Sequence, residues 1–208
     1  MERRIYKNGK YSISKTLDAD IRHLAEFVVT ENQRHHCANP SAKIESEEDN
    51  INSVCNEEKT FSHSHLYIAK NNSGKIIGSI RVFKWDRATQ LPIQKIFGIN
   101  PLTAIHAEPK YNYWHIGRFA IDSFSGVSTL TLFKQLVFLS IKPIIEDTDS
   151  YMIAEMDSKL LRTLNALGIE TIQLGESVEY LHSETIPVCA SREGLLFFYN
   201  KNKNILTN

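Results

Sequence analysis

The residues most able to do chemistry sit close together in Tyr113-Trp114-His115-Ile116-Gly117-Arg118-Phe119-Ala120-Ile121-Asp122. Trp114, Ile116, Phe119 and Ile121 give the stretch the bulk of a core strand. An imidazole titrates near neutral pH and can take a proton from a nucleophile. A glycine inside a strand suggests a bulge that turns a backbone N–H toward a ligand, or else admits a bulky neighbour. An arginine is rarely buried without a partner. In an extended strand His115 and Gly117 face one way and Trp114, Ile116 and Arg118 the other, unless a bulge at Gly117 changes the alternation.

Arg81, in Gly78-Ser79-Ile80-Arg81-Val82, is a second arginine inside an apolar strand. With Arg118 it would make a rigid fork for carboxylate or phosphate, or else the two form structural salt bridges to Glu155 or another acid. Ser123, Ser125, Gly126, Ser128 and Thr129 form a small, hydroxyl-rich turn ahead of an apolar helix. Such a turn can hold a phosphate at the helix N-terminus, or simply make a tight connection. His35, His36, Cys37, Cys55, His63 and His65 invite a metal reading, but their spacing fits no zinc pattern and no metal is expected.

Composition bounds the classes. At 208 residues the chain can bury a core without metal or disulfide staples. Lys plus Arg and Asp plus Glu number 24 each, for a net charge of zero, which argues against wholesale binding of nucleic acid or an anionic membrane. Three scattered cysteines imply no disulfide framework, and the N-terminus carries no apolar signal region, so a reduced, cytoplasmic protein is expected. No apolar run reaches the length of a membrane span.

The elements that must position these residues follow from spacing. Tyr11–Thr16 alternates as a strand. Asp18 or Asp20 can cap a helix through Ile21, Leu24, Phe27 and Val28, broken at Asn39-Pro40. Residues 41–60 read as a polar loop and a short, exposed, mobile helix. His65–Ala69 and Ile76–Phe83 flank Asn71-Asn72-Ser73-Gly74-Lys75, a hairpin. Pro92 and Pro101 interrupt any helix over 91–105. Val127–Ile141 is a helix ending near Pro143, and Tyr151–Met156 a strand. Asp157 caps a helix over 158–167 that Gly168 closes. Short strands broken by Gly175, Pro187 and Gly194 finish the chain. Alternating helices and strands in the second half give an α/β or α+β class.

This order of elements resembles the GNAT superfamily of acyltransferases. "IIGSIRVF" is similar to the arginine-bearing strand of the acyl-homoserine lactone (autoinducer) synthases and the long-chain N-acyl amino acid synthases, and "WHIGRFAID" is similar to their Glu-x-x-Arg-Phe strand, with Arg118 and Phe119 matching. "LLRTLNALGIETIQLGESVEYLHSETIPV" resembles their C-terminal run. His115 stands where the family has an acid, and the synthases' paired aspartates find no match around Glu45–Asp49. The Gln/Arg-x-x-Gly-x-Gly/Ala loop of typical acetyltransferases is also absent.

The resemblance implies one domain over 1–208, with 1–64 as a mobile acceptor-side region and 65–200 as a mixed, mostly antiparallel core sheet with a bulged, splayed strand pair and helices on both faces. It implies transfer of an acyl group from acyl-CoA or acyl carrier protein to a small amine, an amino acid being one candidate. Gly117 would polarise the thioester carbonyl, Arg118 would orient the acceptor or brace acids, and His115 or Glu155 would be the base. Phe119, Ala120, Ile121 and the 123–129 turn would hold the donor, and Arg81 and Trp114 would face the acceptor. An acetyl-CoA-dependent acetyltransferase and a non-catalytic acyl- or CoA-binding module are the competing readings.

Overall fold

The computed structural model describes residues 2–16, 20–36, 47–61, 63–180 and 183–207, without the side chains of 35, 36 and 183. Its elements run β1 (Glu2–Lys7), β2 (Tyr11–Thr16), α1 (Ile21–His36), α2 (Glu47–Thr60), β3 (His65–Asn71), β4 (Ile76–Lys84), α3 (Pro92–Phe97), α4 (Pro101–Ala104), β5 (Asn112–Ile121), α5 (Thr129–Glu146), β6 (Ser150–Asp157), α6 (Ser158–Ala166), β7 (Ile172–Gln173), β8 (Val178–Tyr180), β9 (Ser183–Ser191) and α7 (Arg192–Lys201). The strand order is β1-β2-β3-β4-β5-β6-β9-β7, with β8 also on β9. The β5–β6 ladder is parallel, while β1–β2, β2–β3, β6–β9, β7–β9 and β8–β9 are antiparallel. This is the mixed, mostly antiparallel sheet with helices expected from the sequence.

The chain packs as two compact units, Met1–Arg81 with Arg118–Val137 and Asn204–Asn208, and Val82–Gly117 with Phe138–Lys203. In the first, Leu24, Phe27 and Val28 of α1 pack on Leu66, Ile68, Ile76 and Ala120, and Ala25 and Val29 pack on Ile51 and Val54 of α2. Asp20 accepts the His23 N–H at 3.2 Å and so caps α1; Asp18 and Asn39-Pro40 lie outside the described residues. The helix expected to be short and exposed is instead the 14-residue α2, because Ile51, Val54 and Glu58 fall on one buried stripe. The Tyr11 hydroxyl donates to Gln135 Oε1 at 2.6 Å, and the Gln135 amide donates to the Ile205 carbonyl at 3.1 Å. Burial pushes the Tyr11 phenol up to about 12. The hairpin turn is tied by Asn71, whose side chain accepts the N–H groups of Ser73 and Lys75.

In the second unit Pro92 and Pro101 start helices rather than interrupt one. Each occupies a first-turn position, where a missing N–H costs nothing. Helix α5 runs through Pro143, against the expected stop. The proline lies in the last turn, and the carbonyls beyond it find partners outside the helix: Ser150 Oγ donates to Ile144 O at 2.7 Å and Arg192 Nε to Ile145 O at 2.9 Å. Asp157 accepts from the N–H groups of Lys159 and Leu160, and Gly168 adopts φ 86° after α6, as the sequence implied.

Strand β9 continues through Pro187, where a break was expected. Its carbonyl accepts the Leu174 N–H at 2.9 Å, so the missing donor faces the β7 side, where the β7 ladder has already ended at Gln173↔Val188. Gly194 does not end structure but sits in α7. A Cβ there would lie 2.8 Å from the Glu170 carbonyl oxygen, and Glu170 N donates to Gly194 O at 2.9 Å. Gly194→Ala is therefore expected to lower stability by about 1–3 kcal/mol in urea unfolding. Helix propensity alone predicts a gain of up to about 1 kcal/mol, and a stabilised variant would contradict the close approach.

Candidate functional site

Two constellations gather the chemistry-bearing residues, one in each unit. The second unit holds an imidazole–carboxylate pair. On the parallel ladder His115 opposes Ile153, and Glu155 lies two residues further along β6, so both side chains share a sheet face. His115 Nε2 and Glu155 Oε2 are 2.9 Å apart. The two side chains are 1% and 9% exposed. The Phe83 ring lies 5.1 Å from the imidazole. His115 Nδ1 and Glu155 Oε1 are buried with no hydrogen-bond partner.

Chemically, Nε2–H donated to the carboxylate fixes the tautomer and leaves the Nδ1 lone pair as a base. The paired stretch of β5 and β6 ends at Ile116↔Ala154, so Gly117 is the first β5 residue beyond it, while Glu155 continues in register with Pro187 of β9.

Trp114 points to the opposite face, and its indole N–H donates to Asp147 Oδ2 at 3.0 Å. The same carboxylate accepts from Asn112 Nδ2 at 2.9 Å and stands 3.2 Å from Lys84 Nζ. Burial alone would raise the Asp147 carboxyl, but bonds from Asn112, Trp114 and Lys84 outweigh it and hold the group below the usual carboxylate range.

The first unit holds a cluster of two arginines and two glutamates, of which Arg81 and Glu58 are buried. Arg81 is 1% exposed and pairs with Glu57 at 2.8 Å (Nη2–Oε1) and with Glu58 through Nη1. Arg118 Nε donates to Glu58 Oε1 at 2.8 Å, and Arg118 Nη2 lies 2.8 Å from Glu57 Oε2. The Phe61 ring lies 5.0 Å from the Arg81 guanidinium carbon. Burial and the neighbouring Arg118 charge depress Arg81, opposed by the two carboxylates. For Arg118 the balance is reversed: burial lowers it, and Glu57 and Glu58 more than compensate.

The backbone irregularity expected at Gly117 falls one residue later. Arg118 takes the left-handed conformation at φ 55°, which costs a non-glycine residue roughly 1–2 kcal/mol. The fully buried Ser79 hydroxyl donates to the Arg118 carbonyl at 2.8 Å and holds it there.

The partners of the two arginines are thus Glu57 and Glu58, while Glu155 serves His115. Sequence reading missed Glu57, Glu58 and Ser79. The available signal was the helical stripe itself, since an acid at the i+7 position of Ile51 is buried with the apolar residues and must meet a cation.

The turn ahead of the 18-residue α5 keeps its small residues. Ser128 caps the helix, accepting the Thr131 N–H at 3.3 Å and the Thr131 hydroxyl at 2.9 Å. Gly126 has φ 73°, Ser123 and Thr129 are exposed, and Ser125 Oγ is buried without a partner. Asp122, which starts the turn, accepts the Phe124 N–H at 2.9 Å and pairs with Lys75 at 2.8 Å. Phe119 packs edge-on against Phe133 at 5.1 Å, and Ala120 and Ile121 are core.

Among the described residues no group of three or more His, Cys, Asp or Glu is placed to hold a metal; Cys37 and the side chains of His35 and His36 lie outside them. No helix among the described residues is long and apolar enough to cross a membrane.

The sequence matches no family model and no curated protein. The structure is similar to FeeM, an N-acyl amino acid synthase from uncultured soil microbes, with TM-score 0.61, 16% identity and 93% of each chain covered. It is similar to TofI, solved with an inhibitor and MTA, at TM-score 0.57 and 12% identity over 91% of this chain and 96% of that one. It is similar to BjaI, a CoA-dependent acyl-homoserine lactone synthase, at TM-score 0.54 and 14% identity over 87% and 79%. The chain shares the fold of these structures, the mixed α/β fold that the sequence resemblance implied.

The depressed Asp147 carboxyl carries a pH signature. Its contribution to stability is present above the unfolded value, about 4, and is lost as pH falls through the lower folded value. Asp147→Asn is expected to be less stable than the wild type at pH 7 and to converge on it by about pH 2–3 in urea titrations. Parallel stability curves would contradict this.

Proposed function

We propose that the protein is an N-acyltransferase, moving an acyl group from a thioester of CoA or acyl carrier protein to the amine of a small acceptor. The observation that carries the reading is the buried His115–Glu155 pair, with Nδ1 unpartnered, at the end of the β5–β6 ladder. An amine attacks a thioester only in its neutral form, so a base must take its proton.

In the proposed step the amine nitrogen bonds the acyl carbon and the C–S bond breaks. His115 Nδ1 takes the proton from nitrogen, directly or through one water, and passes it to the thiolate, which leaves as thiol. Glu155 orients the imidazole and stabilises its protonated form. The Gly117 N–H would face the carbonyl oxygen as negative charge grows on it. The 123–129 turn and the amides opening α5 would hold donor phosphate, which a helix N-terminus favours electrostatically. Support also comes from FeeM and BjaI, whose names state acyl synthase chemistry, the latter CoA-dependent.

The test is release of thiol from octanoyl-CoA and octanoyl carrier protein in the presence of an amino-acid panel. His115→Ala is expected to lower kcat about a hundredfold or more, and Glu155→Gln about tenfold or more. Wild-type kcat in His115→Ala, or no thiol release with any donor and amine, would overturn the reading.

A further inference from the structure

The acyl-transfer reading makes no use of an open groove of about 400 Å³ on the first unit, a volume within the range of small-ligand sites. The groove lies along the β1–β2–β3 ladders. Arg4 of β1 stands opposite Ser14 of β2, and Ser12 of β2 stands opposite Lys70 of β3. Ser12 and Ser14 are two residues apart on one strand, so both face the same side of the sheet, roughly 7 Å from each other. All four residues line the groove. Two hydroxyls on the middle strand are thus flanked by a guanidinium on one neighbour and an ammonium on the other.

These groups are donors in surplus. Ser14 is 7% exposed, yet its hydroxyl makes no hydrogen bond among the described residues. The Arg4 guanidinium has neither a hydrogen bond nor an ion pair among them. Lys70 Nζ stands 4.0 Å from Glu2 Oε1, a loose pair with both side chains well exposed. Exposed charge commonly guards an edge strand, which accounts for Arg4 but not for a buried, unpaired hydroxyl opposite it. The frame is also held in advance. Asn8 Oδ1 accepts the N–H groups of Lys10 and Tyr11, and the Asn72 side chain donates to the Gly9 carbonyl at 2.9 Å, tying the β3–β4 turn to the β1–β2 turn.

The groove has a second, acidic end. Glu2 lines it beside Lys70, and the same two residues line an adjoining cavity of about 80 Å³ with Asp20. Carboxylates there repel a bare anion but accept hydrogen bonds from hydroxyl groups. A phosphate dianion presents three terminal oxygens to the guanidinium, the ammonium and the two hydroxyls, where a carboxylate presents two.

We propose that this groove binds a sugar phosphate, with the phosphate on Arg4, Ser12, Ser14 and Lys70 and the sugar hydroxyls toward Glu2 and Asp20. The site is separate from the acyl-transfer reading and stands or falls without it.

The test is isothermal titration calorimetry of the full chain with glucose 6-phosphate, ribose 5-phosphate, glucose and inorganic phosphate, in the absence of any acyl donor. The wild type is expected to bind at least one ester, to bind inorganic phosphate more weakly and not to bind glucose. Arg4→Gln, at an exposed position, is expected to weaken the ester about tenfold or more, and Ser14→Ala about fivefold. Glu2→Gln is expected to weaken the ester while strengthening inorganic phosphate, opposite signs that a loss of structure does not produce. Failure of both esters to bind at millimolar concentration would overturn the proposal. So would inorganic phosphate binding as tightly as the esters, or ester binding unchanged in Arg4→Gln and Ser14→Ala, as phosphate held at the 123–129 turn would give.

Discussion

A guanidinium that is 1% exposed must bring its counter-charges with it, and much of the first unit follows from that requirement at Arg81. Withdrawing a charge from water costs several kcal/mol, and removing one partner of a buried pair typically costs about 3–5 kcal/mol. Glu57 and Glu58 set two carboxylates against Arg81 and Arg118. The acids come from consecutive residues at the end of α2, so the helix is fixed both by Ile51 and Val54 on α1 and by Glu58 on the arginines. The left-handed backbone at Arg118 and the buried Ser79 hydroxyl belong to the same arrangement.

The same constraint explains how one core strand tolerates histidine, glycine and arginine within four residues. On β5 the imidazole and the guanidinium each meet an acid: Glu155 for His115, and Glu57 and Glu58, shared with Arg81, for Arg118. Between them Gly117 stands where the pairing to β6 ends. What is left over is chemically specific. One imidazole nitrogen and one carboxylate oxygen are buried without partners, and that is the type of vacancy a reacting group fills.

Local chemistry made much of the fold legible in the sequence. The β3–β4 hairpin followed from Asn71–Lys75, the α6 cap from Asp157, its end from Gly168, and β2 from alternation. What failed was the reading of the prolines and of Gly194 as breakers. Pro92 and Pro101 proved to be helix starts, Pro143 lies in a last turn whose carbonyls find outside partners, and Pro187 turns its missing donor toward the end of a ladder. Gly194 is a contact with Glu170 inside α7, a helix the sequence reading did not contain. These outcomes depend on neighbours far along the chain. The site divided in the same way: His115, Arg118, Arg81 and Glu155 stood out by type, but Glu57 and Glu58 lay in a segment whose polarity suggested exposure.

The central claim is that this chain joins an acyl group to an amine. The most direct measurement is mass spectrometry of the small molecules formed when the full chain is incubated with octanoyl-CoA, or octanoyl carrier protein, and a mixture of amino acids. The account predicts an N-octanoyl amino acid, appearing in step with the loss of thioester and blocked in His115→Ala. Intact thioester, or free octanoic acid with no amide, would contradict it.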